Sequence, residues 1–169
     1  GVEGAMIGGV LAADGNEIRN NLSGVVVGYN LAAAEVGNRV LSNRITSHQW
    51  RGILLGGNHG PGNDAGDGDT GPNGQQNFPV LSNVSNAGAA TTVDYTLDSL
   101  EIGANHTIQV FANTVCHGEG HGEGARLVGS FVQQSNGSGD MSVVGAVLNE
   151  LVPVGQFLTA TATDSAGNT

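Results

Sequence analysis

Two short motifs decide the fold of this chain: NEIRNN at residues 16–21 and NRVLSN at residues 38–43. They share the pattern N-x-I/V-x-x-N at an offset of 22 residues, and each is followed by glycine and an apolar run, GVVV at 24–27 and GILL at 52–55. Those runs are 28 residues apart, because residues 46–50 lengthen the second turn. A strand, an Asn-bearing corner and a second strand beginning at glycine are typical of one coil of a parallel β-solenoid, in which asparagines of successive coils stack. Hairpins that share turn residues are the alternative.

An acidic, glycine-rich loop follows the coils, at residues 58–77. Asp64, Asp67 and Asp69 lie within six residues of one another among glycines. Ca²⁺ takes six to eight oxygen ligands, so such a loop suits it better than Mg²⁺, which demands strict octahedral geometry. The spacing is not that of an EF-hand, since no Glu follows at the twelfth position. We predict a calcium site at these three aspartates, and a solvated acidic linker is the alternative.

The rest of the chain predicts short strands that alternate apolar and polar residues between Gly, Asn and Ser. The predicted strands are 91–97, 107–111, 127–133, 141–147 and 156–163. In the last of them Thr159, Thr161 and Thr163 share one face and Ala160 and Ala162 the other, which predicts one wetted and one buried face. Regular strand spacing favours a small β-sandwich, and the absence of a cysteine pair makes it at most immunoglobulin-like.

These features together resemble a known family. The chain resembles large secreted bacterial proteins in which right-handed parallel β-helix repeats precede an immunoglobulin-like β-sandwich. The resemblance is carried by the coil motifs and by residues 62–74 (GNDAGDGDTGPNG), 76–81 (QNFPVL) and 154–164 (VGQFLTATATD). The resemblance covers essentially the whole chain. It implies an all-β fold divided into about two β-helix coils at 1–57, the acidic loop at 58–77 and the sandwich at 78–169.

The resemblance also implies an extracellular or cell-surface location and a non-catalytic structural or adhesive role. The family has many coils, and its sandwich continues beyond the final Ala-Gly-Asn-Thr turn, so we expect the chain to be a segment of a longer protein. An open solenoid end and an unpaired edge strand are sites of association. We therefore predict a homo-oligomer formed by an edge strand or by the solenoid end, and a glycan or a protein as the ligand of an exposed surface.

Charge excludes two classes of partner. The net charge is −10, with five arginines and no lysine, which opposes binding to nucleic acid or to anionic lipid headgroups. Residues 1–62 carry four arginines and four acidic residues, residues 63–77 carry only the three aspartates, and the remainder carries eight acidic residues and one arginine. No apolar run approaches the ~20 residues of a membrane span. The acidic loop is thus the one local concentration of charge.

The remaining candidate chemistry is weaker. Cys116, His117 and His121 could assemble a transition-metal site, but four glycines around them favour a solvated loop. Polysaccharide degradation or carbohydrate binding by a β-helix fragment is the alternative function. Two coils form too short a groove for a polymer, no lysine base is present, and Glu17 and Glu35 are poor candidates for a carboxylate pair. The chain is therefore predicted not to be an enzyme. Trp50, in the lengthened turn, is expected either to pack on the solenoid end or to contact a sugar.

Overall fold

The computed structural model describes residues 2–29, 35–56, 62–118 and 120–169. These residues are all-β, with twelve strands, three short 3-10 turns (Ala12–Asp14, Ala65–Asp67 and Pro72–Gln75) and no α-helix among them. The first six strands are β1 (Met6–Gly8), β2 (Glu17–Arg19), β3 (Val25–Val27), β4 (Arg39–Leu41), β5 (Arg44–Thr46) and β6 (Ile53–Leu55). The last six are β7 (Val80–Ala87), β8 (Ala90–Leu97), β9 (Asn105–Asn113), β10 (Arg126–Gln134), β11 (Met141–Val147) and β12 (Phe157–Thr163).

The first six strands form three small parallel sheets. Strand β1 pairs with β4, β2 with β5 and β3 with β6, so each strand of the first pass lies beside its successor in the second. Side chains from all three sheets share one apolar cluster, in which Val25, Val27, Val40 and Ile45 are buried. β-branched residues suit this arrangement because they pack well on a pleated surface. We call residues 2–29 the first pass and residues 35–56 the second pass.

The prediction that the two apolar runs lie side by side is confirmed, since Val25 pairs with Ile53 and Val27 with Leu55. The glycine before each run has a packing role. A Cβ on Gly24 would clash with the carbonyl oxygen of Gly52 and lie 2.6 Å from Cγ2 of Ile45. Glycine is therefore required there for close approach of the two passes rather than for a left-handed bend.

The prediction that the two N-x-I/V-x-x-N motifs stack on each other is wrong. The first motif contributes β2 and the second contributes β4, and these strands belong to different sheets. Glu17 pairs with Arg44, and the backbone N–H and side-chain amide of Asn16 both donate to Oδ1 of Asn43 at 3.0 Å. The motifs look alike because each turns a corner, but they are successive corners rather than equivalent ones.

The last six strands form two antiparallel sheets, in the orders β10-β9-β12 and β11-β8-β7. Both sheets contribute to two adjoining apolar clusters, whose buried members include Val93 and Tyr95 from β8 and Ile108 and Val110 from β9. The five strands predicted in this part are confirmed, and their ends differ from the predicted ones by at most two residues. Strand β7 is absent from the sequence prediction, because its Ser and Asn residues resemble a loop.

The predicted division of β12 into a wetted and a buried face is wrong. Thr163 is buried and Thr159 and Thr161 are partly covered, while on the other face Ala162 is buried and Ala160 is partly covered. Strand β9, the neighbour of β12, is also buried on both faces over most of its length. Its outward residues Gln109 and Phe111 are covered because the parallel sheets pack on this side, as the contact of Gln109 with Ser42 shows.

The predicted boundary between coils and loop, at residues 57 and 58, lies outside the described residues, as do the first residues of that loop and Glu119. Within the described residues, no helix is long and apolar enough to cross a membrane.

Candidate functional site

The acidic loop is held in place by asparagine side chains. Asn77 is 2% exposed, donates from its side chain to the carbonyl of Asp64 at 2.9 Å, and accepts from the N–H of Asp64 at 3.0 Å. The side chain of Asn63 makes the same kind of pair with the backbone of Phe78, at 2.7 and 2.9 Å. These contacts fold the loop back on the segment that follows it. Asparagines in a glycine-rich run are the signal for this, and the sequence prediction names only the aspartates.

The structure places the three predicted aspartates near one another, but their carboxylates differ in hydrogen bonding. Oδ1 of Asp67 accepts from the backbone N–H of Asn77 at 2.7 Å, and its Oδ2 accepts from the side chain of Gln76 at 3.2 Å. Oδ2 of Asp64 accepts from the N–H of Gly68 at 3.2 Å. By contrast, Oδ1 of Asp64 and Oδ1 of Asp69 are buried atoms without a hydrogen-bond partner. A buried acceptor without a partner costs free energy, and a cation bound at these two carboxylate oxygens would offset that cost.

Burial and neighbouring charges raise the pKa of two carboxyl groups in the loop. Burial raises the pKa of Asp67 to about 6, against the opposing effect of the N–H of Asn77, and the carboxylates of Asp64, Asp69 and Asp164 raise it further. Burial, followed by the charge of Asp64, also raises the pKa of Asp69. Asp164 comes from the turn after β12, so a fourth carboxylate contributes to the negative potential. A cation bound beside these carboxylates would offset their mutual repulsion and lower the pKa of both Asp67 and Asp69.

The donor set fits a hard cation in its chemistry, because it is made of carboxylate, amide and carbonyl oxygens. In the described part of the chain, however, no three side chains of His, Cys, Asp or Glu are close enough together to hold a metal ion as they stand. Only part of a calcium shell would therefore come from carboxylates, and carbonyl oxygens or water would complete it.

A second set of side chains, which the sequence did not predict, binds backbone groups of the second pass along β4, β5 and the corners beside them. We call it the junction, and it consists of Asn73, Gln109, Glu123 and Thr169. Oε1 of Gln109 accepts from the N–H of Ser42 at 2.8 Å, and its amide donates to the Ser42 hydroxyl at 3.0 Å. Ser42 has a left-handed backbone (φ 59°), so Gln109 binds the corner between β4 and β5. A side chain that is distant in sequence thus forms hydrogen bonds with polar groups of the parallel sheets.

Glu123 holds the next corner. Its carboxylate accepts from the N–H groups of Ser47 and His48, at 2.6 Å each. Beside it, Gly124 and Ile45 exchange two backbone hydrogen bonds at 2.9 Å, a single antiparallel bridge on the edge of β5. The carbonyl of Glu123 in turn accepts from the Thr159 hydroxyl of β12 at 2.6 Å. Residues 123–124 therefore connect the parallel sheets to the antiparallel ones.

Asn73 and Thr169 complete the junction beside β4. Asn73 is fully buried and donates to the carbonyls of Asn38 and Thr169, at 2.6 and 3.0 Å. Its Oδ1 accepts from the N–H of Asn38 at 3.0 Å, while the hydroxyl of Thr169 accepts from the N–H of Val40 at 3.1 Å. Asn38 in turn accepts from the N–H of Ala5 at 3.0 Å. Asparagines of successive corners thus meet at residues 38 and 73, as they do at residues 16 and 43, but not at residues 16 and 38.

A cleft of about 400 Å³ lies between the two parts of the molecule. Its apolar lining comes from both parts, for example from Ile53 and Leu55 on β6 and from Phe111 on β9. Polar side chains at its wall include Gln75, which is 5% exposed and whose Oε1 has no hydrogen-bond partner. Its volume is that of a small-molecule pocket.

The weaker candidates are dispersed. Cys116 is exposed, and its Sγ lies 3.5 Å from the carbonyl of His117. The ring of His121 packs edge-on against Phe78 with 5.6 Å between ring centres. Trp50 is 47% exposed, so it is not buried at a solenoid end. Glu17 lies 3.5 Å from both Arg19 and Arg44 in surface ion pairs.

Comparison with known proteins identifies no relative, since no protein-family model and no curated protein matches the chain.

Proposed function

We propose that the chain is a non-catalytic structural or adhesive module of an extracellular or cell-surface protein. In this proposal the parallel sheets are two coils of a right-handed β-helix, and the antiparallel sheets form an immunoglobulin-like β-sandwich. The supporting observation is the junction, in which side chains from outside the coils bind backbone N–H groups of β4 and of the corners on either side of β5. A solenoid needs such a cap, since its terminal edge otherwise exposes unpaired backbone groups.

Within that role, we propose that Ca²⁺ binds the acidic loop at Asp64, Asp67 and Asp69 and stiffens the connection between the two parts. The observation that supports it is the pair of buried oxygens, Oδ1 of Asp64 and Oδ1 of Asp69, that lack any hydrogen-bond partner. A cation bound there would satisfy both oxygens and lower the raised pKa of Asp67. The loop lies directly after the coils and directly before β7, so ordering it fixes the path of the chain between them.

The test is thermal unfolding near neutral pH in calcium and in chelator. Calcium is expected to raise the melting temperature of the wild-type chain by several degrees, because it binds the folded state alone. Asp67→Asn is expected to abolish that response and, in chelator, to melt higher than wild type, since it removes a buried negative charge. Magnesium is expected to have a smaller effect than calcium.

Asp140→Asn serves as the matched control, because it removes one carboxylate from the turn between β10 and β11. It should keep the full calcium response. Identical melting curves of the wild-type chain in calcium and in chelator would refute the calcium proposal.

A further inference from the structure

The cleft between the parallel and the antiparallel sheets has the size and shape of a binding site. Its volume of about 400 Å³ lies in the range of small-molecule pockets, and both sets of sheets wall it, for example Leu55 on β6 and Leu158 on β12. Among the described residues that line it, all but Phe78, Val80 and Gly120 are buried or half-buried. We therefore place the mouth of the cleft at these three residues, with its more buried lining behind them.

The wall of the cleft is mostly apolar and carries little charge. Aliphatic and aromatic side chains from β4, β5, β6, β9 and β12 contribute to it. Apart from the ring of His121, its described lining residues include one basic side chain, Arg51, and one acidic side chain, Glu123. The Glu123 carboxylate already accepts from the N–H groups of Ser47 and His48. Because burying a charge without a counter-charge is costly, this wall favours a neutral ligand.

One buried side chain on the wall has an acceptor that nothing satisfies. Gln75 is 5% exposed and lines the cleft. Its side-chain nitrogen donates to the carbonyl of Pro72 at 3.2 Å, but its Oε1 has no hydrogen-bond partner. A buried acceptor of this kind costs free energy until a donor reaches it. A ligand that supplies an O–H or N–H group at Gln75 would therefore gain affinity.

The threonines of β12 present a second unpaired group to the same cleft. Thr159, Thr161 and Thr163 lie on one face of the strand. The hydroxyls of Thr159 and Thr163 each have a partner at 2.6 Å. Oγ1 of Thr161, between them, is buried and has no partner, and Thr161 lines the cleft. A hydroxyl both donates and accepts, so Thr161 can bind either kind of polar group on a ligand.

We propose that the cleft binds a neutral, mostly apolar small molecule that carries a hydroxyl or N–H group. That group donates a hydrogen bond to Oε1 of Gln75, and the hydroxyl of Thr161 is a second polar partner. The apolar body of the ligand packs against the aliphatic and aromatic wall. A sugar fits this cleft poorly, because most of its hydroxyl groups would be buried against apolar side chains without partners.

This binding site goes beyond the structural or adhesive role proposed above and is independent of calcium. The aspartates of the acidic loop are not among the residues that line the cleft. A negative result here leaves the chelation result unaffected, and the reverse also holds.

The test is an NMR titration of the full chain with two matched probes, 4-propylphenol and 4-propylanisole, which differ because a methyl group replaces the O–H hydrogen. The wild-type chain is expected to bind 4-propylphenol saturably and 4-propylanisole about tenfold more weakly, because the ether cannot donate to Gln75. Chemical shifts should change on both walls, at Ile53 and Leu55 of β6 and at Leu158 and Thr161 of β12. Methyl glucoside, the sugar probe, should leave these shifts unchanged.

Two variants test the polar groups. Thr161→Val should bind 4-propylphenol several-fold more weakly without a lower melting temperature, because the wild-type hydroxyl has no partner to lose. Thr96→Val, its matched control at an exposed position on β8, should bind both probes like the wild type. Gln75→Met should bind the two probes with equal affinity, since the acceptor is gone. Gln75→Met also loses the hydrogen bond to Pro72, so circular dichroism checks its fold, and Thr161→Val tests the site in either case.

Several results would overturn the proposal. A wild-type chain that shows no saturable shift with 4-propylphenol up to the solubility limit has no such site, and water then fills the cleft. Shift changes confined to residues outside the cleft place the binding on another surface. Equal affinity of the wild-type chain for both probes excludes the hydrogen bond to Gln75, and unchanged binding by Thr161→Val excludes the second polar partner. Tighter binding of methyl glucoside than of 4-propylphenol excludes the apolar class of ligand.

Discussion

Asp67 shows how a single carboxyl group can link local structure to pH. Its pKa is raised to about 6 mainly by burial, and the neighbouring carboxylates add to the effect. A raised pKa means that the folded chain holds the proton more tightly than the unfolded chain does. The contribution of Asp67 to stability is therefore present below the unfolded pKa of about 4 and is lost as the pH rises through about 6.

We predict that, in chelator, the Asp67→Asn variant gains stability relative to wild type as the pH rises from about 4 to about 7. The reason is that only the wild-type side chain acquires a buried charge in this range. Urea unfolding at several pH values measures the difference, with Asp140→Asn again as the control. A difference between Asp67→Asn and wild type that does not change with pH would contradict the raised pKa.

Other residues have roles that can be identified only in the folded chain. Asn73 has a left-handed backbone (φ 49°) and no exposed surface, and its side chain joins Asn38 to Thr169, across 35 and 96 residues of sequence. An asparagine in a run of glycine and proline indicates a turn in the sequence alone. Its partners cannot be predicted, because they are brought to it by separate elements.

At the scale of elements, the corners of the parallel sheets depend on groups supplied by the other part of the molecule. The corner after β5 has a left-handed residue, Ser47 (φ 61°), followed by the buried His48. Both N–H groups are bound by the Glu123 carboxylate. His48 also accepts from the N–H of Asn21 in the first pass at 3.2 Å, so the corner connects both passes.

Glu123→Ala is expected to lower the free energy of unfolding by about 1–3 kcal/mol, since hydrogen bonds to a charged group are stronger than neutral ones. The melting temperature should fall by several degrees, and amide exchange at Ser47 and His48 should accelerate. Glu3→Ala, at an exposed position, should change stability by less than about 0.5 kcal/mol. Unchanged exchange at the two amides would show that Glu123 does not hold the corner.

Gly122 also matters for the connection between the two parts, because it allows close packing against β12. Gly122 precedes Glu123, and a Cβ on it would clash with the Thr159 side chain of β12. The run of glycines and charged residues around it favours a solvated loop in the sequence alone. The structure shows that at least residues 122–124 are packed between the two parts.

At the scale of the whole molecule, the parallel and the antiparallel sheets differ in the number of apolar residues that they bury. The parallel sheets bury four large apolar side chains in their shared cluster, whereas the antiparallel sheets bury eleven residues in two adjoining clusters. A small core rarely offsets the conformational entropy of a short chain. We therefore expect the parallel sheets to depend on the junction for their stability.

We predict that the intact chain unfolds in a single calorimetric transition, and that a truncated chain of residues 1–62 is unfolded by circular dichroism. A truncated chain of residues 78–169 should retain strand content and melt below the intact chain, because it keeps its own clusters but loses the packing of the parallel sheets on β9 and β12. Two separate transitions in the intact chain, or a folded 1–62 fragment, would contradict this dependence.

The sequence alone determined the all-β class, the five strands of the second part and the side-by-side placement of the apolar runs at 24–27 and 52–55. These follow from period-two alternation, β-branched residues and turn residues, which act within a few positions of one another. It also located the acidic loop, since three aspartates among glycines are visible without a structure.

Only the tertiary structure decided which corners stack, that both faces of β12 are covered, and which groups bind the backbone along β4 and β5. Asn16 meets Asn43, Gln109 meets Ser42, and Glu123 meets the corner at Ser47 and His48. In each case the partners lie at least 27 residues apart, so no local pattern records them. The physical reason is that a backbone group at a strand edge needs a partner but does not specify which part of the chain will supply it.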